Sequence, residues 1–350
     1  MRFNNIQILR FFAAASVVLY HSHYYVGTTL WKTPLTRAFD FRFTWGVELF
    51  FALSGFVVSH SLTKSTPGRF FALRLIRIYP AFWLAASIAI AGRVALGGHP
   101  FNPGLLSALT LMPAGGAGYP LGIEWSLVYE VFFYTLIAAI ALVPLRFARE
   151  WAMVVWLAAI AGMAMFGPIR ATSFFPTFGT IAFSAFNLPF IAGVLAYSLF
   201  RGVDRLPLAI FVATVPIALL AADGDIATEV QLAFRAIGFA ALVLSAAEIS
   251  RRWDALPTNP LVKLGDMSYG LYLVHVPVIL AVLAWHRFAP AEANDAFITC
   301  AGTALVVGCA YGWVEVGLYR RNKALLDRHW PRRVGGLVAA GPGPDDGTAR

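Results

Sequence analysis

Apolar residues run along this chain in ten stretches of near bilayer-crossing length, at about residues 6–26, 41–61, 71–92, 123–143, 151–167, 181–200, 207–221, 230–249, 268–288 and 296–318. A helix rises about 1.5 Å per residue and needs roughly 20 predominantly apolar residues to cross a hydrocarbon core, so each stretch predicts a transmembrane helix. The expected fold is all-α and polytopic, with about ten spans. The first stretch does not read as a cleavable leader: Arg10 interrupts it, and His21, His23 and Tyr24 stand where a small-residue cleavage site belongs. Connections are short except for 93–122, rich in Gly and Pro, which reads as a flexible or re-entrant outer loop. Its glycines do not predict a phosphate cradle, because no strand precedes them and no Gly-Lys-Ser/Thr follows. From Pro331 onward the chain has too few large apolar side chains to fold alone. Residues 1–320 are thus expected to form the membrane domain, and 321–350 a basic, then Gly/Pro-rich disordered tail. No repeat of fixed period and no inverted repeat of the transporter kind is visible.

Orientation follows from the basic residues. With the N-terminus in the cytoplasm, 20 of the 27 Lys and Arg fall in inner segments, while the outer side keeps Lys32, Arg37, Arg42, Arg93, Arg170, Arg235 and Arg287 beside the acidic Asp223, Asp225 and Glu229. That alternation places both termini in the cytoplasm. Composition agrees: 59% of residues are hydrophobic and 13% charged, which excludes a water-soluble enzyme. The net charge of +9 is then mostly a topology signal, and a nucleic-acid partner is not expected. Cys300 and Cys309 would lie roughly 13 Å apart on one helix, too far for a disulfide, and no Cys/His ligand spacing predicts a metal.

Candidate chemistry lies in the few ionisable residues inside the spans, each of which needs a partner, a watery cavity or a task. Arg10 and His21 are eleven residues apart, about three turns, so they share a helix face roughly 16 Å apart, with Arg10 towards the cytoplasm and His21 in the outer half. Glu48 and Glu130 enter from outside and are expected at the depth of His21, where two carboxylates and an imidazole suit general-base chemistry. His23 and Glu124 read as interfacial. Arg74 and Arg77, spaced i,i+3 at the inner mouth of the third span, can grip phosphates or simply obey the positive-inside rule. His275 and Glu315, in the inner halves of their spans, are candidate partners for these arginines. A carrier with His21, Glu48 and Glu130 as a proton relay is the alternative reading of the same residues.

Five segments resemble the integral-membrane acyltransferase 3 family in order along the chain. They are Ile6-Gln7-Ile8-Leu9-Arg10 running to His21; Gly46-Val47-Glu48-Leu49-Phe50-Phe51-Ala52-Leu53-Ser54-Gly55-Phe56; Arg74-Leu75-Ile76-Arg77-Ile78-Tyr79-Pro80; Trp125-Ser126-Leu127-Val128-Tyr129-Glu130 through Tyr134; and Ser268-Tyr269-Gly270-Leu271-Tyr272 through His275 and Pro277. Glu315 looks like the family's late glutamate, but Val316 replaces the proline common after it. The resemblance implies an O-acyltransferase of the bacterial inner membrane. It would move an acyl group, usually acetyl, from cytoplasmic acyl-CoA to a sugar-containing acceptor such as a surface polysaccharide or glycolipid. Arg10 and His21 are the residues it ties most closely to activity. On that reading Arg74 and Arg77 hold CoA phosphates while the pantetheine arm passes Arg10. His21 is a general base or a transient acyl carrier, and Glu130 or Glu48 orients it. Trp125, Tyr134, Ser268, Tyr269 and His275 are substrate-binding or oxyanion candidates.

Overall fold

The computed structural model describes residues 3–31, 45–95, 97, 104–115, 118–145, 147–167, 174–223 and 227–330. Its regular elements are helices: α1 (Asn4–Leu30), α2 (Gly46–Leu62), α3 (Pro67–Ala95), α4 (Leu105–Thr110), α5 (Glu124–Ile140), α6 (Ala148–Phe166), α7 (Leu188–Gly202), α8 (Leu208–Ala221), α9 (Thr228–Arg252), α10 (Pro260–Asp266), α11 (Ser268–His286) and α12 (Ala293–His329). Each apolar stretch in the sequence overlaps one α-helix, and α4 and α10 are short additions. Five segments are long and apolar enough to cross a membrane by length and composition, namely α3, α6, α9, α11 and Pro290–His329, while α2 and α8 are shorter apolar helices. The chain is a multi-pass membrane protein.

Three boundaries move for local reasons. The stretch 181–200 starts as two 3-10 turns, in which Ser184 Oγ accepts from Phe186 N and the Asn187 amide donates to the Ile181 carbonyl at 2.8 Å. The α-helix starts only at Leu188, with Pro189 in its first turn, where a missing N–H costs nothing. At the C-terminus α12 continues to His329, so the expected domain boundary at 320 falls inside a helix. Arg69 holds this extension, pairing with Asp327 and donating to the Trp330 carbonyl. The expected disordered segment from Pro331 lies outside the described residues.

α5 runs through the main core, where Phe133 stacks on Phe190 of α7 at 4.0 Å between ring centroids and meets Phe51 of α2 edge-on. α2 and α7 approach closely enough that a Cβ on Gly55 would strike the Phe190 carbonyl, and one on Gly193 the Ala52 carbonyl. Small residues permit such backbone approach in helix pairs that have little hydrophobic drive to associate in lipid. Gly193→Ala is therefore expected to cost about 1–3 kcal/mol, read as a lower thermal midpoint in detergent; an unchanged midpoint would contradict the close crossing.

Two irregular segments cover one end of this core. Gly115 N donates to Pro176 O, Ala114 and Thr177 form an isolated antiparallel bridge, and Leu111, Leu121, Ile123, Ile181 and Phe186 are buried. The described part of the 93–122 connection is thus packed on the helices, as non-helical backbone in a membrane protein must be unless water reaches it.

Candidate active site

Arg10 and His21 project from one face of α1 into two adjoining cavities. Arg10 lines a narrow one of about 80 Å³, with Ser54 of α2, Arg74 of α3, Glu130 and Tyr134 of α5, and Tyr269 of α11. His21 lines a larger one of about 620 Å³ with Glu48, Trp125, Arg235 and a wall of aromatic rings. Val47 and Tyr272 line both and form the partition. The smaller cavity has room for a few waters, the larger for a drug-sized molecule.

The partner of His21 is His275, whose Nε2 lies 3.0 Å from His21 Nδ1. His21 Nδ1 is also 3.1 Å from the Val17 carbonyl, and His275 Nδ1 is 2.7 Å from the Tyr272 carbonyl. A carbonyl can only accept, which assigns the protons for neutral rings: each Nδ1 carries hydrogen, and His275 Nε2 accepts from His21. His21 Nε2 is left with a free lone pair. Of the two candidate partners for the arginines, His275 is therefore taken by His21, and Glu315 is the one that meets Arg77. Depth along separate helices was the only guide, and α1 proves to extend to Leu30, so His21 sits nearer its middle than its outer end.

Glu130 is not beside His21 but in the Arg10 cavity, where Tyr134 donates to its Oε1. The reason lies at the start of α5. Glu124 is buried rather than interfacial, and its carboxylate accepts from Leu121 N at 2.7 Å and Ile123 N at 3.0 Å. The helix therefore begins beneath the covering loops, and Glu130 on it faces the cavity that Arg10 lines. His23 is likewise buried.

Glu48 does line the His21 cavity, held by Arg235 Nε at 2.7 Å, and Trp45 lies over the same guanidinium. Arg235, one of the outer basic residues, interrupts the apolar run 230–249. A lone arginine there needs a partner, and that was the available signal. Trp125 contributes to the aromatic wall, meeting Phe174 at 4.9 Å and Phe186 at 5.2 Å between centroids. Tyr20, Tyr24, Tyr25 and Tyr119 extend this lining and were not singled out, since aromatic residues abound in the sequence and only packing selects among them.

The two expected phosphate ligands separate. Arg74 lines the narrow cavity, donates to Ser61 Oγ and lies over the rings of Phe70 and Tyr134. Arg77 instead pairs with Glu315 at 2.6 Å, between the rings of Tyr269 and Tyr319. Of the oxyanion candidates, Tyr269 donates to the Ile78 carbonyl at 3.0 Å and Tyr134 donates to Glu130, so both protons are engaged. Ser268 is fully buried, with no hydrogen-bond partner for its Oγ among the described residues, and lines neither cavity. Cys300 and Cys309 are both free thiols, and no cluster of three or more His, Cys, Asp or Glu that could hold a metal occurs among the described residues.

The acyltransferase domain model of the acyltransferase 3 family matches residues 3–314, nearly the whole helical chain. The chain belongs to the acyltransferase 3 family. It is 28% identical over 320 residues to Nodulation protein 10 of Rhizobium leguminosarum bv. viciae, covering 80% of this chain and 84% of that protein. It is 27% identical over 318 residues to the exopolysaccharide production protein ExoZ of Rhizobium meliloti (strain 1021), covering 80% of this chain and 90% of that one. No solved structure matches it. The matched acyltransferase domain runs from α1 into α12 and contains both cavities.

Proposed function

We propose that this acyltransferase spans the bacterial inner membrane ten times with both termini in the cytoplasm, and moves an acyl group, acetyl in the simplest case, from cytoplasmic acyl-CoA to a hydroxyl of a sugar-containing acceptor. The observation that carries this reading is the hydrogen-bonded His21 and His275 pair opening on the large aromatic cavity, one partition away from Arg10. The positive-inside pattern supports donor entry from the Arg10 side. The name of ExoZ ties that relative to exopolysaccharide production, which supports a glycan acceptor here. Aromatic faces such as Trp125 suit the apolar faces of sugar rings, and Glu48 and Arg235 offer polar contacts to hydroxyls.

In this mechanism the free Nε2 of His21 takes the acceptor hydroxyl proton as the oxygen attacks the thioester carbonyl. The resulting imidazolium donates through Nδ1 to His275, whose other nitrogen is held by the Tyr272 carbonyl. The C–S bond then breaks as the ester forms, and the proton passes from His21 to the CoA sulfur. Arg10 supplies positive charge towards the thioester side, where a preorganised donor acts most strongly. A second route, with His21 carrying the acyl group transiently, uses the same lone pair.

Purified protein in nanodiscs is expected to hydrolyse labelled acetyl-CoA slowly and to transfer the label when glycolipid is supplied; no turnover of the thioester under either condition would remove the proposal. His275→Ala is expected to lower kcat about 10- to 100-fold, and to add little on top of His21→Ala, because residues acting as a unit are non-additive. Independent, multiplying losses would contradict the coupling. Arg74→Ala is expected to raise the apparent KM for acyl-CoA about ten-fold, the worth of one charge-assisted contact, with kcat little changed. An unchanged donor KM would return Arg74 to a packing and topology role.

A further inference from the structure

A third cavity, of about 740 Å³, lies between α10 and α12 and is unrelated to the two above. Its lining includes Lys263, Asp266, Met267, Trp313, Arg320 and Arg321. Most basic residues near this end of the bundle are committed: Arg69 and Lys323 to Asp327, Arg77 to Glu315, Arg251 and Arg252 to Glu248. The side chains of Lys263, Arg320 and Arg321 make no hydrogen bond or ion pair among the described residues. Three uncommitted cations therefore share one groove with a single carboxylate.

The groove faces away from the chemistry. Met267 is about 200° around from Tyr269, which lines the Arg10 cavity, and Trp313, Arg320 and Arg321 fall at i, i+7 and i+8 on α12. Glu315, turned inward to Arg77, marks the opposite face of that helix. Trp313 is 71% exposed and Val314 41%, so large apolar side chains flank the cations on the outside of the bundle. The groove shares no lining residue with either of the other two cavities. A phosphate ester with an apolar body would satisfy both halves of the groove, its anion on the cations and its chains along Trp313 and Val314.

We propose that this groove is a binding site for the headgroup of an anionic phospholipid. Each cation near such a headgroup is worth about five-fold in affinity, and three about a hundred-fold. The test is native mass spectrometry of delipidated protein titrated with phosphatidylglycerol or phosphatidylcholine. Wild type should retain phosphatidylglycerol preferentially, the triple variant K263Q/R320Q/R321Q should lose that preference about a hundred-fold, and each single variant about five-fold, which keeps the test decisive should the triple variant fold poorly. Trp313→Ala should weaken retention of both lipids with the preference intact. Equal phosphatidylglycerol retention by wild type and the variants would overturn the proposal, as would displacement of the lipid by excess CoA, which would assign the groove to free nucleotide phosphates.

Discussion

His21→Ala is expected to reduce acyl transfer from labelled acetyl-CoA by about 10²- to 10⁴-fold, the usual contribution of a positioned general base. The protein should still insert and elute as wild type does, because His21 borders a cavity and its loss removes only the Nδ1 contacts to the Val17 carbonyl and His275. His21→Gln should be about as inactive: a side-chain amide can hydrogen-bond to His275 but has no basic lone pair to offer a hydroxyl. Wild-type turnover in either variant would show that the hydroxyl proton leaves by another path.

Arg77→Ala is expected to cost about 3–5 kcal/mol of stability, since it strands the Glu315 carboxylate in a site with no access to water. The midpoint of thermal inactivation in detergent should fall sharply, while the donor KM of whatever protein survives should stay near wild type. Replacing both partners by apolar residues, Arg77→Met with Glu315→Leu, should recover much of the loss, as apolar replacements of buried ion pairs commonly do. Full stability with a raised donor KM would instead restore Arg77 to phosphate binding beside Arg74.

The helices were legible because each is written in a continuous apolar run, and a run needs no knowledge of its neighbours. The same holds for Arg10 and His21: both belong to α1, and 100° per residue is enough to put them on one face. Partnerships across helices were not legible. His21 and His275 stand 254 positions apart, and the only sequence measure of their nearness was depth. Depth did not place Glu130, because loop residues 118–123 and 174–187 cover the start of α5 and nothing in the sequence says which cavity the helix then faces. Arg77 and Glu315 could be offered as partners because both are charged and lie on the inner side of their spans, although His275 stood at the same depth. Arg235 could have been recovered from the cost of a charge within an apolar run, though no pattern in the sequence names Glu48 as its partner.

The transferase reading and the carrier reading of the same ionisable residues part on a single observable, a covalently altered glycan. Mass spectrometry of surface glycans from a strain lacking this chain should show the loss of one acyl mass, restored by the wild-type chain and not by His21→Ala. An unchanged glycan acylation pattern, together with loss of uptake of a small metabolite, would contradict the account.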